Sequence, residues 1–186
     1  MSRSDVEDLV NLCRELNERG ARYVVVGGFA IIQAGYDRHT KDIDLLVDVS
    51  AENESALLEA LATLPDNAVR ELKRGEIAEN IVVRVADEFM VDVMQTGCGV
   101  GYAEAKKSAV IRVVDGVSIP FASVATLWRM KQTVREKDAP DRLFLRQTME
   151  NEGIPLDPPP ARPVDPLAGV PAWLRAVVGW FARRGG

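Results

Sequence analysis

Apolar residues recur at helical spacing over 4–19. Val6, Leu9, Val10, Cys13 and Leu16 mark one face, Ser4 and Glu7 have the spacing of a capping box, and Gly20 ends the run. The period then changes. RYVVVGG (22–28) is a short β-branched run and predicts a strand; FAIIQAGY (29–36) predicts a short helix closed by Gly35; TKDIDLLVDV (40–49) predicts a second strand. Ser50 is placed to cap a helix through Leu64, with Leu57, Leu58 and Leu61 inward and Pro65 after it. ENIVVRVAD (79–87) and EFMVDVMQT (88–96) read as two strands joined at Asp87-Glu88, and KSAVIRVVDGVSIPFAS (107–123) as another pair around Asp115-Gly116, a standard turn dipeptide. Ser123 then caps a long helix, VATLWRMKQTVREK (124–137), whose apolar stripe is Leu127, Met130 and Val134. A further helix, PDRLFLRQTMENEG (140–153), has Asp138 as its N-cap and Asp141 at the third helical position. Residues 154–171 are Pro-rich and read as an extended linker; 172–186 contain the spacing of a short amphipathic helix. The expected organisation is one domain over 1–153, the linker, and the terminal helix. The order of elements predicts an α/β or α+β fold, a mixed sheet with helices outside.

Composition narrows the function classes. The chain has 186 residues, 47% hydrophobic and 27% charged, enough for one sizeable core. A net charge of −5 argues against a general grip on nucleic acid through a basic surface. The small basic cluster VRELKRG (69–75) carries no aromatic residue and reads as a loop. Cys13 and Cys98 lie far apart and His39 is the only histidine, which argues against a zinc site; a histidine-based triad would have to run through His39, and nothing near it supports one. The N-terminus is too polar for a secretory signal, and no apolar run approaches the roughly 20 residues of a membrane span. With two unpaired cysteines, these features point to the cytoplasm and away from membranes.

The conspicuous feature is Asp-Ile-Asp, 42–44, inside the apolar run of the second strand. Alternation along a strand places Asp42 and Asp44 on one face and Ile43, Leu45 and Val47 on the other. Two carboxylates about 6–7 Å apart on one face repel each other unless a cation lies between them. Hard divalent ions such as Mg²⁺ take oxygen ligands of this kind. Asp92, in FMVDVMQ, is a second charged residue within an apolar strand. If its strand pairs beside the first, three acids converge and can hold two ions about 3.5–4 Å apart, as in in-line phosphoryl or nucleotidyl transfer. Gly27-Gly28 falls between a strand and a helix, where glycine lets backbone approach a phosphate closely.

The stretch VVVGGFAIIQAGYDRHTKDIDLLV resembles the core signature of the nucleotidyltransferase superfamily of the DNA polymerase β type. There an apolar strand leads to Gly-Gly or Gly-Ser, and Asp-x-Asp/Glu follows about a dozen residues later. The Arg-x-Thr-x-Asp-Ile-Asp form, 38–44 here, is close to small bacterial members, which include abortive-infection toxin-type and antibiotic-modifying enzymes. LWRMKQTVREKDAPDRLFL resembles their C-terminal helical segment, where a Lys and a Lys-Asp-x-x-Asp recur. The resemblance covers roughly residues 20–150 and is sharpest from Gly27 to Asp44. It implies a nucleotidyltransferase-like mixed sheet flanked by helices, with C-terminal helices. It also implies an Mg²⁺- and NTP-dependent enzyme, two ions being expected. Gly27 and Gly28 would hold the triphosphate, Asp42 and Asp44 would bind Mg²⁺, and Asp92 would be the third acid and help activate the acceptor hydroxyl. Many active members have Ser after the first Gly; Gly28 and Phe29 stand here, so one phosphate contact is expected to be lost.

Each candidate has a structural alternative. Asp42 and Asp44 could pair with Arg38 and Lys41, and Asp92 could face water at a hairpin edge. Arg38, His39 and Lys41 would contact phosphate or acceptor, or be solvated loop charges. Lys131 and Arg135, one helical turn apart, would reach NTP phosphates or form a solvated face; Lys137, Asp138 and Asp141 read as a cap and its ion pair. Trp173, Val177, Trp180 and Phe181 would pack on the domain, on a second copy or on a protein partner. Two functions follow. One is transfer of an NMP group from an NTP to an acceptor hydroxyl on RNA, a small molecule or a protein. The other is a catalytically inactive nucleotide-binding or toxin–antitoxin partner module.

Overall fold

The structure, a computed structural model, describes residues 3–156. The expected linker beyond residue 156, the terminal helix over 172–186 and the side chain of Ser4 lie outside the described residues. Helix α1 (Arg3–Glu18) leads through Gly20, at φ +67°, into strand β1 (Tyr23–Val26). Then follow α2 (Gly27–Gln33), β2 (Ile43–Val47) and α3 (Ala51–Leu61), the last capped by the Ser50 hydroxyl, which accepts from the Asn53 N–H. After a short helix α4 (Glu76–Glu79) come β3 (Val82–Ala86) and β4 (Met90–Met94). A two-stranded ribbon, β5 (Thr96–Gly97) and β6 (Val100–Gly101), leads into α5 (Tyr102–Ala105). The chain closes with β7 (Val110–Val114), β8 (Val117–Phe121), α6 (Val124–Met130) and α7 (Ala139–Glu152).

Six strands form one mixed sheet in the order β3-β4-β2-β1-β8-β7. Three pairings are antiparallel, β1–β2, β3–β4 and β7–β8; β1–β8 and β2–β4 run parallel. The sheet is thus mixed, as the element order predicts. Val24, Val25, Leu45 and Leu46 are wholly buried, so the two central strands are covered on both faces. Leu12, Cys13 and Leu16 from α1 and Leu57 and Leu61 from α3 join the same core. α2 packs on β1 and β2 and reaches α6, which packs on α7. The β3–β4 hairpin behaves differently: Val83 and Val85 are buried, while Val82, Arg84 and Ala86 point outward. That uncovered face begins the cleft described below.

The long helix expected over 124–137 is two pieces. α6 ends at Met130 and a 3-10 turn covers Glu136–Asp138. The Arg142 guanidinium donates to the carbonyl oxygens of Lys131 (3.3 Å) and Thr133 (3.2 Å), satisfying groups that a helix end would leave unpaired. Val134, expected inward, is fully exposed. Asp138 does sit at the N-cap position of α7, but its side chain makes no capping bond. Strand β2 starts at Ile43, one residue after Asp42, so only Asp44 of the pair belongs to the ladder.

Candidate functional site

The uncovered face of the β3–β4 hairpin and the start of β2 open into a cleft of about 480 Å³. Its walls include Gly27, Gly28, Thr40, Asp42, Asp44 and Asp92. The same lining takes in Arg38, Lys131, Arg135, Lys137, Asp138 and Asp141.

The sheet register puts the acids together. Asp44 is the partner of Asp92 across the parallel β2–β4 pair, and of Val26 across β1–β2. Asp92 is buried and Asp44 is half-buried; Asp42 is exposed. Burial, and then the neighbouring charge of Asp92, push the Asp44 carboxyl up to about 6; Asp42 adds to the rise, while the Gly28 N–H and Lys131 oppose it. Such a group holds a surplus of negative charge that a cation would relieve.

The glycine pair is shaped around these side chains. Gly27 has φ +60°, and a Cβ there would lie 2.0 Å from Asp44 Oδ2, so only glycine allows Asp44 this close to the turn. A Cβ on Gly28 would lie 2.4 Å from Thr40 Oγ1 and 2.6 Å from Thr40 Cβ. Thr40 therefore fills the space a serine at position 28 would need. A hydroxyl stands at this corner after all, supplied from the loop before β2.

The two basic candidates Arg38 and Lys131 are drawn into one buried ion network. Arg38 Nη1 donates to both oxygens of Asp141, at 2.8 and 2.7 Å. Lys131 Nζ lies 2.9 Å from Asp138 and 2.9 Å from Asp141. Arg135 reaches Asp138 at 3.0 Å, so Lys131 and Arg135 meet on this carboxylate without sharing a helical face. Both carboxylates are 3% exposed. Burial alone would raise the Asp138 carboxyl; bonds from Thr133 and Lys131 and the charge of Arg135 hold it at about 2. Lys41 is exposed and stands outside the cleft lining.

Arg84 joins the site without any warning from the motifs. Its Nε and Nη2 each lie 2.7 Å from a different oxygen of Asp92, a two-pronged ion pair that engages the whole carboxylate. A two-residue turn at Asp87-Glu88 would set Arg84 opposite Val91; the loop in fact takes in Phe89, which sets Arg84 opposite Asp92. Among the described residues, no three His, Cys, Asp or Glu side chains are gathered tightly enough to hold a metal ion as they stand. The donor chemistry nonetheless suits a hard divalent cation: carboxylate oxygens only, with two of the acids in register.

No family model and no curated protein matches the chain. Solved structures do. An antigenic nucleotidyltransferase-like protein from Paracoccidioides brasiliensis superposes with a TM-score of 0.50 at 15% identity, over 99% of this chain and 90% of that one. The chain has a nucleotidyltransferase-like fold. A protein from Thermotoga maritima described as a nucleotidyltransferase also matches, with a TM-score of 0.43 at 16% identity over 83% of this chain and 92% of its own. Within the nucleotidyltransferase-like fold, Asp44 and Asp92 lie on β2 and β4 with Asp42 just before β2, the glycine turn opens α2, and the basic residues come from the loop before β2, from β3 and from the segment after α6. No described helix is long and apolar enough to cross a membrane.

Proposed function

We propose that this chain is a metal-dependent nucleotidyltransferase, which moves an NMP group from an NTP to an acceptor hydroxyl with release of pyrophosphate. The observation that carries the reading is the register pairing of Asp44 with Asp92 beside a glycine turn that only glycine can form. Asp42, Asp44 and Asp92 would hold Mg²⁺, and two ions would neutralise phosphate charge and favour in-line displacement at the α-phosphorus. Gly27 and Gly28 would hold the triphosphate along their backbone, the space of their missing side chains being taken by Asp44 and Thr40, with the Thr40 hydroxyl in the place of the serine of many relatives. Asp92 accepts the proton of the acceptor hydroxyl. Lys131, bound to Asp138 and Asp141 in the cleft wall, would supply positive potential toward the phosphates, and Arg38 holds that wall in place. The protein thus chiefly positions groups and stabilises charge.

The deciding experiment incubates the protein and Mg²⁺ with each α-labelled NTP and a cell extract. Expected is one labelled acceptor class, RNA, small molecule or protein, with labelling abolished in Asp44→Asn. The Arg84 pair with Asp92 favours a second reading, a nucleotide-binding module without catalysis. Nucleotide-dependent thermal stabilisation that survives Asp44→Asn, with no transfer to any acceptor, would establish that second reading instead.

A further inference from the structure

The guanidinium of Arg84 occupies both oxygens of the acid that the proposed function needs for metal and proton transfer. We infer that Arg84 is a built-in counter-cation of this site, and that a divalent ion reaches Asp92 only by displacing it. The inference rests on the reading of the acids as metal ligands. Three observations carry it. The pair is fixed by sheet register, Arg84 opposite Asp92, with two 2.7 Å contacts in place of one. Arg84 also lies within the field of Asp42 and Asp44, so its charge serves the whole acidic group. The two partners differ in exposure: the Arg84 side chain is 60% exposed and that of Asp92 is 12% exposed.

That asymmetry decides which partner can move. Asp92 is held in the middle of a buried strand and cannot leave its place. Arg84 stands on the outer strand β3 and already meets water, so it can swing outward without crossing a desolvation barrier. The buried carboxylate therefore always has a cation, the arginine without metal and the metal once it is bound. A buried acid stripped of every partner would be strongly unfavourable. Arg84 consequently weakens the affinity for metal, because each ion must first displace it.

Titration of the full chain with Mn²⁺, following free ion by electron paramagnetic resonance without nucleotide, tests this directly. Arg84→Gln should bind Mn²⁺ at least tenfold more tightly than the native chain. Arg84→Lys should fall between them, since an ammonium contacts one oxygen where the fork contacts two. The gain should vanish in the Asp92→Asn background. Melting curves of each variant check folding, and metal-free Arg84→Gln should melt lower but gain more from Mn²⁺ than the native chain. Native Mn²⁺ binding with equal or weaker binding by Arg84→Gln overturns the inference alone and makes Arg84 a positioning residue. Failure of every variant to bind Mn²⁺ overturns the metal reading and the inference with it.

Discussion

At the scale of single residues, the site is built from groups that cost the fold something. Asp44 is the clearest. Its carboxyl is held near 6 rather than at the usual 3.8, first by burial and then by Asp92. The folded chain therefore binds this proton more tightly than the unfolded chain. Stability is unaffected below about pH 4, falls as pH rises towards 6, and stays reduced above that. The shift corresponds to about 2–3 kcal/mol. Asp44→Asn removes the charge, and its Oδ1 can still accept from the Gly28 N–H. Without metal, Asp44→Asn should be more stable than the native chain by about that amount at pH 8, and the difference should vanish near pH 4. Chemical denaturation at the two pH values measures it; equal stability at pH 8 would show that Asp44 is not strained. The pair Asp42-x-Asp44 is visible in the sequence because charge within an apolar run is costly. Thr40 and Arg84 are not visible in this way. Thr40 matters only through the space left by Gly28, and Arg84 only through a loop one residue longer than its turn dipeptide suggests.

At the scale of elements, hydrophobic period locates nearly every strand and helix that carries the site. β1, α2, β2, the β3–β4 hairpin and the β7–β8 hairpin fall where alternation and turn dipeptides put them. The segment after α6 does not, because its conformation is set by ions. Lys131, Thr133 and Arg135 all turn onto Asp138, and Arg142 binds the carbonyls that the helix leaves open. Local propensity favours continuing the helix; a buried carboxylate with three donors outweighs it. Asp138 is held below its ordinary value, at about 2, so its contribution is present above about pH 4 and is lost as pH falls towards 2. The magnitude is about 2 kcal/mol. Asp138→Asn should lower stability by at least that amount at pH 7 and flatten the acid limb of the stability curve between pH 4 and 2. Urea midpoints across that range decide the matter, and an unchanged acid limb would place the acid sensitivity elsewhere.

At the scale of the molecule, two parts of the chain more than a hundred residues apart are joined at the cleft. The loop between α2 and β2 carries Tyr36, Arg38 and Thr40. α7 carries Phe144 and Asp141. Tyr36 stacks on Phe144 with centroids 4.8 Å apart, and Arg38 grips both oxygens of Asp141. The resemblance motifs 38–44 and 137–141 thus meet as one unit, which their distance along the chain conceals. The two partners are not equivalent. Asp141 is 3% exposed and bound by both Arg38 and Lys131, whereas the Arg38 side chain is 30% exposed and can turn to water. Asp141→Asn removes the one carboxylate that binds both Arg38 and Lys131, leaving Lys131 with Asp138 alone, for a loss of about 3 kcal/mol. Arg38→Gln leaves Asp141 still paired with Lys131, so its cost should be smaller, about 1–2 kcal/mol. In the double variant the one Arg38–Asp141 ion pair is lost only once, so the combined loss should be less than the sum of the two. Urea unfolding of the four proteins, followed by circular dichroism, measures both the order and the coupling. Arg38→Gln costing as much as Asp141→Asn, or losses that simply add, would mean that the loop and α7 are held by the aromatic stack and not by the ion pair.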